Sequence, residues 1–310
     1  MRLVGLSLLL ATPFWAAAEP GARWDSSSLI GAGQPAFEYE VSPAFGEVTF
    51  PNPVHTLPYT TDGRDRDLVT TEKGKRYTLP SSGGASPDGP DVDLLERASD
   101  EFGLSGRGLE LSVYSALFDL GDPHGPALYV LCNTRRPGPP RNRIVRYGVD
   151  SLAPLRLRVA EVILSWESAG HDGGELAWGP ADGMLYCSAG DRSAPGDPNN
   201  WGQRTDGIFG SILRIDVRSG SPYAVPPDNP FVGMEGVRAE IWSYGLRNPW
   251  RMAFHPERGE LWVGDNGDES WEMVHWVERG ANAGWSAYEG SAIFRASNSL
   301  RGPTLGHTPA

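Results

Sequence analysis

Three short stretches hold side chains whose types and spacing could do chemistry. The first is GHDGGELAWGPADGMLYCSAGD, Gly170 to Asp191. His171 sits beside Gly173 and Gly174, which carry no side chain and let the backbone approach closely, so the imidazole can face a cavity. A neutral histidine is a suitable base for a hydroxyl proton. It works better when a carboxylate holds its far nitrogen, and Asp191, beyond the following strand, could supply one. A turn histidine and a strand-capping aspartate are the plain alternative. The second stretch, IWSYGLRNPWRMAF (Ile241 to Phe254), breaks a strand with a turn that presents Arg247 and Asn248. A permanently charged, forked guanidinium suits an oxygen-rich, electron-accepting partner, and an ion pair to a neighbouring sheet would explain it equally. The third, VGDNGDESWE (Val263 to Glu272), places Asp265, Asn266, Asp268, Glu269 and Glu272 around Gly267. Oxygen ligands on a kinked loop suit calcium, although the spacing is not that of an EF-hand and a solvated acidic loop is the simpler reading.

The elements that must position these residues read as strands. Four apolar runs, around Leu68, Leu128, Leu185 and Leu261, are rich in aliphatic, aromatic or β-branched residues and meet turn residues. Two share a longer frame: LAWGPADGMLYCSAGD from Leu176 aligns with MAFHPERGELWVGDNG from Met252. In each, a strand enters a Pro-x-x-Gly turn and returns toward a Gly-Asp pair, as a hairpin does. The intervals between the four leucines exceed the ~40–50 residues of simple propeller repeats, so insertions are expected. Helical periodicity is weak, and the best helical candidate, DVDLLERASDEFG from Asp91 to Gly103, is short. Gly and Pro, 39 and 27 of 310 residues, call for many turns. An all-β fold is expected, a β-propeller with about four blades and the start of a fifth. LPSSGGASPDGPDVD (Leu79 to Asp93) and SGSPYAVPPDNPFVG (Ser219 to Gly233) read as blade connections. RGPTLGHTPA, at residues 301–310, shows no strand pattern, and the chain reads as the N-terminal part of a longer propeller.

Composition narrows the partners. A net charge of -12, from 27 Lys plus Arg against 39 Asp plus Glu, argues against nucleic acid. The densest basic run, RRPGPPRNR (Arg135 to Arg143), reads as an exposed loop. Residues 1–18 read as a signal peptide, with Arg2, an apolar run too short to span a bilayer and Ala16-Ala17-Ala18 as cleavage site. An N-terminal extension follows over 19–45, and a partial propeller over 46–310. No later stretch is long and apolar enough to span a membrane, so an exported, periplasmic or extracellular protein is expected. Cys132 and Cys187 lie inside apolar runs and could pair or pack as buried free thiols.

Together these segments resemble the soluble PQQ-dependent sugar dehydrogenases, the glucose/sorbosone dehydrogenase family. The resemblance runs from about Asp67 and is dense from His171 to Gly290. It comprises the His171 stretch, GSILRIDVRSG, PPDNPF, the stretch from Glu240 to Glu272, and GANAGWSAYEG, in the family's order. It implies a six-bladed propeller with pyrroloquinoline quinone (PQQ) across its axis. His171 would then take the sugar hydroxyl proton while hydride passes to PQQ, and Asp191 would orient His171. Arg247 and Asn248 would face the quinone, the arginine polarising its reactive carbonyl. Asn266, Gly267 and Asp268 would supply cofactor contacts and backbone oxygens to Ca2+. Best-characterised members have proline after that glycine, where this chain has Asp268. Basic residues that grip the quinone carboxylates come, in the family, from later blades. The resemblance thus implies an oxidoreductase acting on a sugar or related hydroxy compound and passing electrons to a carrier, such as a cytochrome c domain or protein. A non-enzymatic propeller that binds carbohydrate or protein with structural calcium, as in the hedgehog-interacting relatives, is the rival. A metal-dependent lactonase fits less well, because such sites gather several inward carboxylates.

Overall fold

The computed structural model describes residues 45, 48–81, 92–94, 110–135, 138–192 and 195–294. The expected signal peptide, and all of the N-terminal extension but Phe45, lie outside them. The protein is all-β, and its strands form four successive antiparallel sheets in a propeller arrangement. The first sheet contains β1 (Pro53–Thr61), β2 (Arg64–Thr71), β3 (Lys75–Pro80) and β4 (Val92–Asp93). The second contains β5 (Glu110–Asp119), β6 (Ala127–Arg135), β7 (Arg141–Leu152) and β8 (Leu155–Glu167). The third contains β9 (Leu176–Trp178), β10 (Leu185–Ala189), β11 (Ser211–Ile215) and β12 (Ile241–Tyr244). The fourth has three strands, β13 (Pro249–Phe254), β14 (Leu261–Asp265) and β15 (Met273–Val277). A two-stranded ribbon follows, β16 (Tyr288–Glu289) and β17 (Ala292–Ile293). The four leucines that marked the repeat all lie on second strands.

Strand periodicity explains the stacking. Side chains alternate between the faces of a strand, and the second and third sheets bury both faces. On β6, Leu128, Val130 and Cys132 pack toward the first sheet, while Tyr129 and Leu131 pack toward the third. On β10, Leu185 and Cys187 pack toward the second sheet and Tyr186 toward the fourth. Burial on both faces is why these strands read as unbroken apolar runs. β14 differs: Leu261 and Val263 are buried against the third sheet, whereas Trp262 faces outward beside Trp276 of β15.

The matching frames fold alike. In the β9–β10 turn, Gly179 N–H donates to Met184 O and Gly183 N–H to Gly179 O; in the β13–β14 turn, His255 N–H donates to Glu260 O and Gly259 N–H to His255 O. Gly183 and Gly259 take φ of 67° and 69°, a left-handed conformation that favours glycine. Adjacent sheets meet through their early strands, β1 with β5, β5 with β9, and β9 and β10 with β13. Because strands alternate in direction, the connections β8–β9, β10–β11, β12–β13 and β14–β15 share one rim. His171, Asp191, Arg247, Asn248, Asn266, Gly267 and Asp268 all lie on those connections.

Two expectations change, and one open alternative is resolved. Arg135 ends β6 and Arg141 to Arg143 begin β7, so both ends of the basic run are strand; Arg136 and Pro137 lie outside the described residues. Val92 and Asp93 of the helical candidate pair with β3 as strand β4; residues 95–103 of that candidate lie outside the described residues. Cys132 and Cys187 are free thiols, both buried and on different sheets. Burial pushes the Cys132 thiol up to about 12, so it stays protonated and packs as a small apolar group.

Candidate active site

The His171 loop, between β8 and β9, is anchored along its length. Its neighbour Asp172 is buried and accepts from Tyr114 Oη at 2.8 Å and Asn142 Nδ2 at 2.9 Å, which ties the loop to the second sheet. Desolvation, with Asp172 alongside, pushes the Tyr114 phenol above its usual value, so it stays a donor. Glu175 accepts from Ser115 Oγ and lies within ion-pair reach of Arg251 and His55. Gly173 takes φ of 80°, and a Cβ there would lie 2.5 Å from Ser188 O. Asn248 accepts from Gly173 N–H at 3.2 Å through Oδ1.

His171 and Asp191 form a pair. Nδ1 and Oδ1 are 2.7 Å apart; the Asp191 side chain is wholly buried and that of His171 is 21% exposed. The carboxylate accepts, so Nδ1 carries the hydrogen and Nε2 is the acceptor. The second oxygen, Oδ2, accepts from Trp285 Nε1 at 2.6 Å. Asp191 is further fixed by its own N–H, which donates to Arg247 O at 2.8 Å. Gly190 is required here, since a Cβ would meet His171 O at 2.5 Å.

Asp265, at the end of β14, performs a parallel service for the β12–β13 turn. Its oxygens accept from Arg247 N–H at 3.0 Å and Asn248 N–H at 2.7 Å. Thus in each frame a carboxylate at or just past the end of the second strand clasps the loop that enters the first. The two aspartates are not equivalent in the sequence alignment: Asp265 ends its strand, whereas Asp191 lies two residues past β10. The Arg247 side chain lies over the Trp285 ring, 5.4 Å from its centroid. Nη1 donates to Asn266 O at 3.3 Å and Nη2 to Asp268 Oδ1. Nε is buried and has no hydrogen-bond partner among the described residues.

The acidic loop is held from beneath by Glu289. One of its oxygens accepts from the backbone N–H groups of Asp268 (2.6 Å), Glu269 (3.0 Å), Ser270 (3.1 Å) and Trp271 (3.3 Å). Burial raises the Glu289 pKa, but these four donors outweigh it and hold the carboxyl below its ordinary value. A Cβ on Gly267 would overlap Trp271 O. Asn266 is tied to the arginine turn by its N–H to Asn248 O at 3.2 Å, and its amide donates to Glu272 at 3.2 Å.

The structure therefore brings His171, Asp191, Arg247, Asn248, Asn266, Gly267 and Asp268 to one place. Sequence reasoning missed Trp285, which touches both halves of the site, and gave no role to Glu289. Trp285 lies in GANAGWSAYEG, whose crowding of glycine and aromatic residues was the available signal. A separate cavity of about 300 Å³ opens at the opposite rim, walled by Tyr186, Trp242, Phe254 and Trp276, and contains none of these residues.

The sequence pattern of the Glucose / Sorbosone dehydrogenase family matches residues 125–302. The chain belongs to this family. Among curated relatives, it is similar to the HIPL1 protein of Arabidopsis thaliana, 35% identical over 147 residues, covering 43% of this chain and 21% of that protein. It is also similar to the aldose sugar dehydrogenase YliI of Escherichia coli (strain K12), 33% identical over 115 residues, covering 37% of this chain and 29% of that protein. The matched stretches thus span less than a third of these relatives. The PQQ-bound aldose sugar dehydrogenase of Streptomyces coelicolor superposes with a TM-score of 0.51 at 22% identity, over 86% of this chain and 73% of that one, a likeness of fold.

The residues fit a bound quinone in one testable respect. A buried guanidinium Nε without an acceptor is costly, and an oxygen-bearing ligand over Trp285 would satisfy it. Calcium fits less fully. No group of three or more His, Cys, Asp or Glu side chains among the described residues could hold a metal, whereas calcium takes six to eight oxygens.

Proposed function

We propose that the protein is an exported quinoprotein dehydrogenase that oxidises a sugar or related hydroxy compound, with His171 as general base. The observation that carries this reading is the continuous unit Trp285–Asp191–His171, with Arg247 and its unpartnered Nε on the same indole.

When bound, PQQ supplies the hydride acceptor. The protein's own part follows from its hydrogen bonds. Asp191 fixes the Nδ1–H tautomer and so aims Nε2 at the substrate hydroxyl. Nε2 takes the hydroxyl proton as hydride leaves the same carbinol carbon, and a carbonyl product remains. The imidazolium formed is stabilised by the Asp191 carboxylate, whose other oxygen accepts from Trp285. Arg247 offers a fixed cationic donor to the oxygen that gains charge. Next to Asp191, the Arg192 guanidinium lies over the rings of Trp201 at 5.1 Å and Phe209 at 5.4 Å. In this reading Asn248 and Asn266 contact the cofactor. Calcium, if bound, would be held by the Gly267 and Asp268 carbonyl oxygens. Electrons would leave to a cytochrome c or similar carrier outside the cytoplasm; no helix among the described residues is long and apolar enough to cross a membrane.

The engagement of Arg247 by Asn266 and Asp268 favours a second reading, a carbohydrate-binding propeller without catalysis. Reconstitution with PQQ and Ca2+, followed by dye reduction over a panel of aldoses, separates the two. Turnover supports the dehydrogenase; bound PQQ with no turnover on any substrate supports the binder.

A further inference from the structure

Asp268 pairs with Arg247 Nη2, and both partners are held in place by their surroundings. The arginine is held by its backbone N–H on Asp265 and by the Trp285 ring beneath its guanidinium. The aspartate is held by its N–H on Glu289 and by the kink at Gly267, where no side chain fits. The pair is nearly buried, with side-chain exposures of 11% and 9%, so solvent screens it little. Asp268 therefore cannot swing away at no cost, as a partner on a loose surface loop could.

We infer that Asp268 is a tuning residue for Arg247: its carboxylate attenuates the guanidinium charge and weakens the binding of an anionic quinone. This rests on the quinone reading given above and deepens it. PQQ carries three carboxyl groups, so at neutral pH it brings negative charge toward a cation that Asp268 already neutralises. The Asp268→Asn side chain keeps the shape and an acceptor oxygen for Nη2 but removes the charge. Asp268 positions and tunes Arg247 and takes no part in proton transfer.

The test is a titration of PQQ alone into the full chain in EDTA, followed by quenching of tryptophan fluorescence, with far-UV circular dichroism to show that each variant is folded. Asp268→Asn is expected to bind about tenfold more tightly than the parent, the effect of one like charge near the site at intermediate dielectric. Arg247→Ala is expected to bind more weakly than either. Equal or weaker binding by Asp268→Asn, with the parent binding normally, overturns the inference and leaves the quinone site standing. If folded parent and Asp268→Asn both fail to bind, the quinone reading fails and the inference falls with it.

Discussion

Replacing Trp285 by phenylalanine tests the arrangement that ties the two halves of the site together. The change removes one donor, Nε1, whose bond to Asp191 Oδ2 is 2.6 Å long, and keeps an aromatic ring beneath Arg247. Asp191 is completely buried, so water cannot replace the lost donor. A hydrogen bond to a charged group contributes about 1.5–3 kcal/mol, and full burial of the carboxylate places the loss in the upper part of that range. Trimming the indole to a smaller ring adds a packing penalty of about 1 kcal/mol. Urea denaturation followed by far-UV circular dichroism should show a loss of about 2–4 kcal/mol. The packing part is separated by a double-mutant cycle with Asp191→Ala, which removes both acceptor oxygens and so the hydrogen bond. A coupling of about 1.5 kcal/mol or more is expected. A cycle that closes to within about 0.5 kcal/mol would show that the indole and the carboxylate are neighbours without a working bond, and the reasoning would be wrong.

Other perturbations follow from the same contacts. Gly190→Ala drives a methyl group to 2.5 Å from His171 O and should destabilise by about 2 kcal/mol or more, read as a lowered melting temperature. Glu289 ties pH to the acidic loop. Its carboxyl is held below the usual value of 4.5 by the four loop N–H groups, so its contribution is complete above that pH and is lost as pH falls through the lower folded value. Protection factors of the amides of residues 268–271, measured against intrinsic exchange at each pH, should stay high at pH 5 and above and fall under more acid conditions. Glu289→Gln should remove that pH step while leaving the loop less protected throughout.

The hairpin frames were legible because the Pro-x-x-Gly turns and flanking aromatic residues dictate them locally. The pairing of His171 with Asp191 was legible too, as an imidazole and a carboxylate on either side of one hairpin. Less could be read where partners are distant in the chain. Trp285 reaches Asp191 across 94 positions, and Glu289 holds a loop 18 to 21 residues earlier. Neither spacing is a local motif; both arise because consecutive sheets return their connections to one rim. The four-strand sheets were under-read for a different reason. β9 and β12 are short, of three and four residues, too brief to show periodicity. The role of Asp265 was obscured by its likeness to Asp191: both follow a glycine near a strand end, yet they clasp different kinds of group.

The central claim is that His171 accepts the substrate proton through an Nε2 set by Asp191. The most direct measurement is the PQQ-dependent turnover of His171→Ala against the parent, with fluorescence quenching used to show equal cofactor occupancy. The account predicts a fall of about 10²–10⁴-fold in kcat with cofactor binding retained. Turnover within a few-fold of the parent at equal occupancy would contradict it.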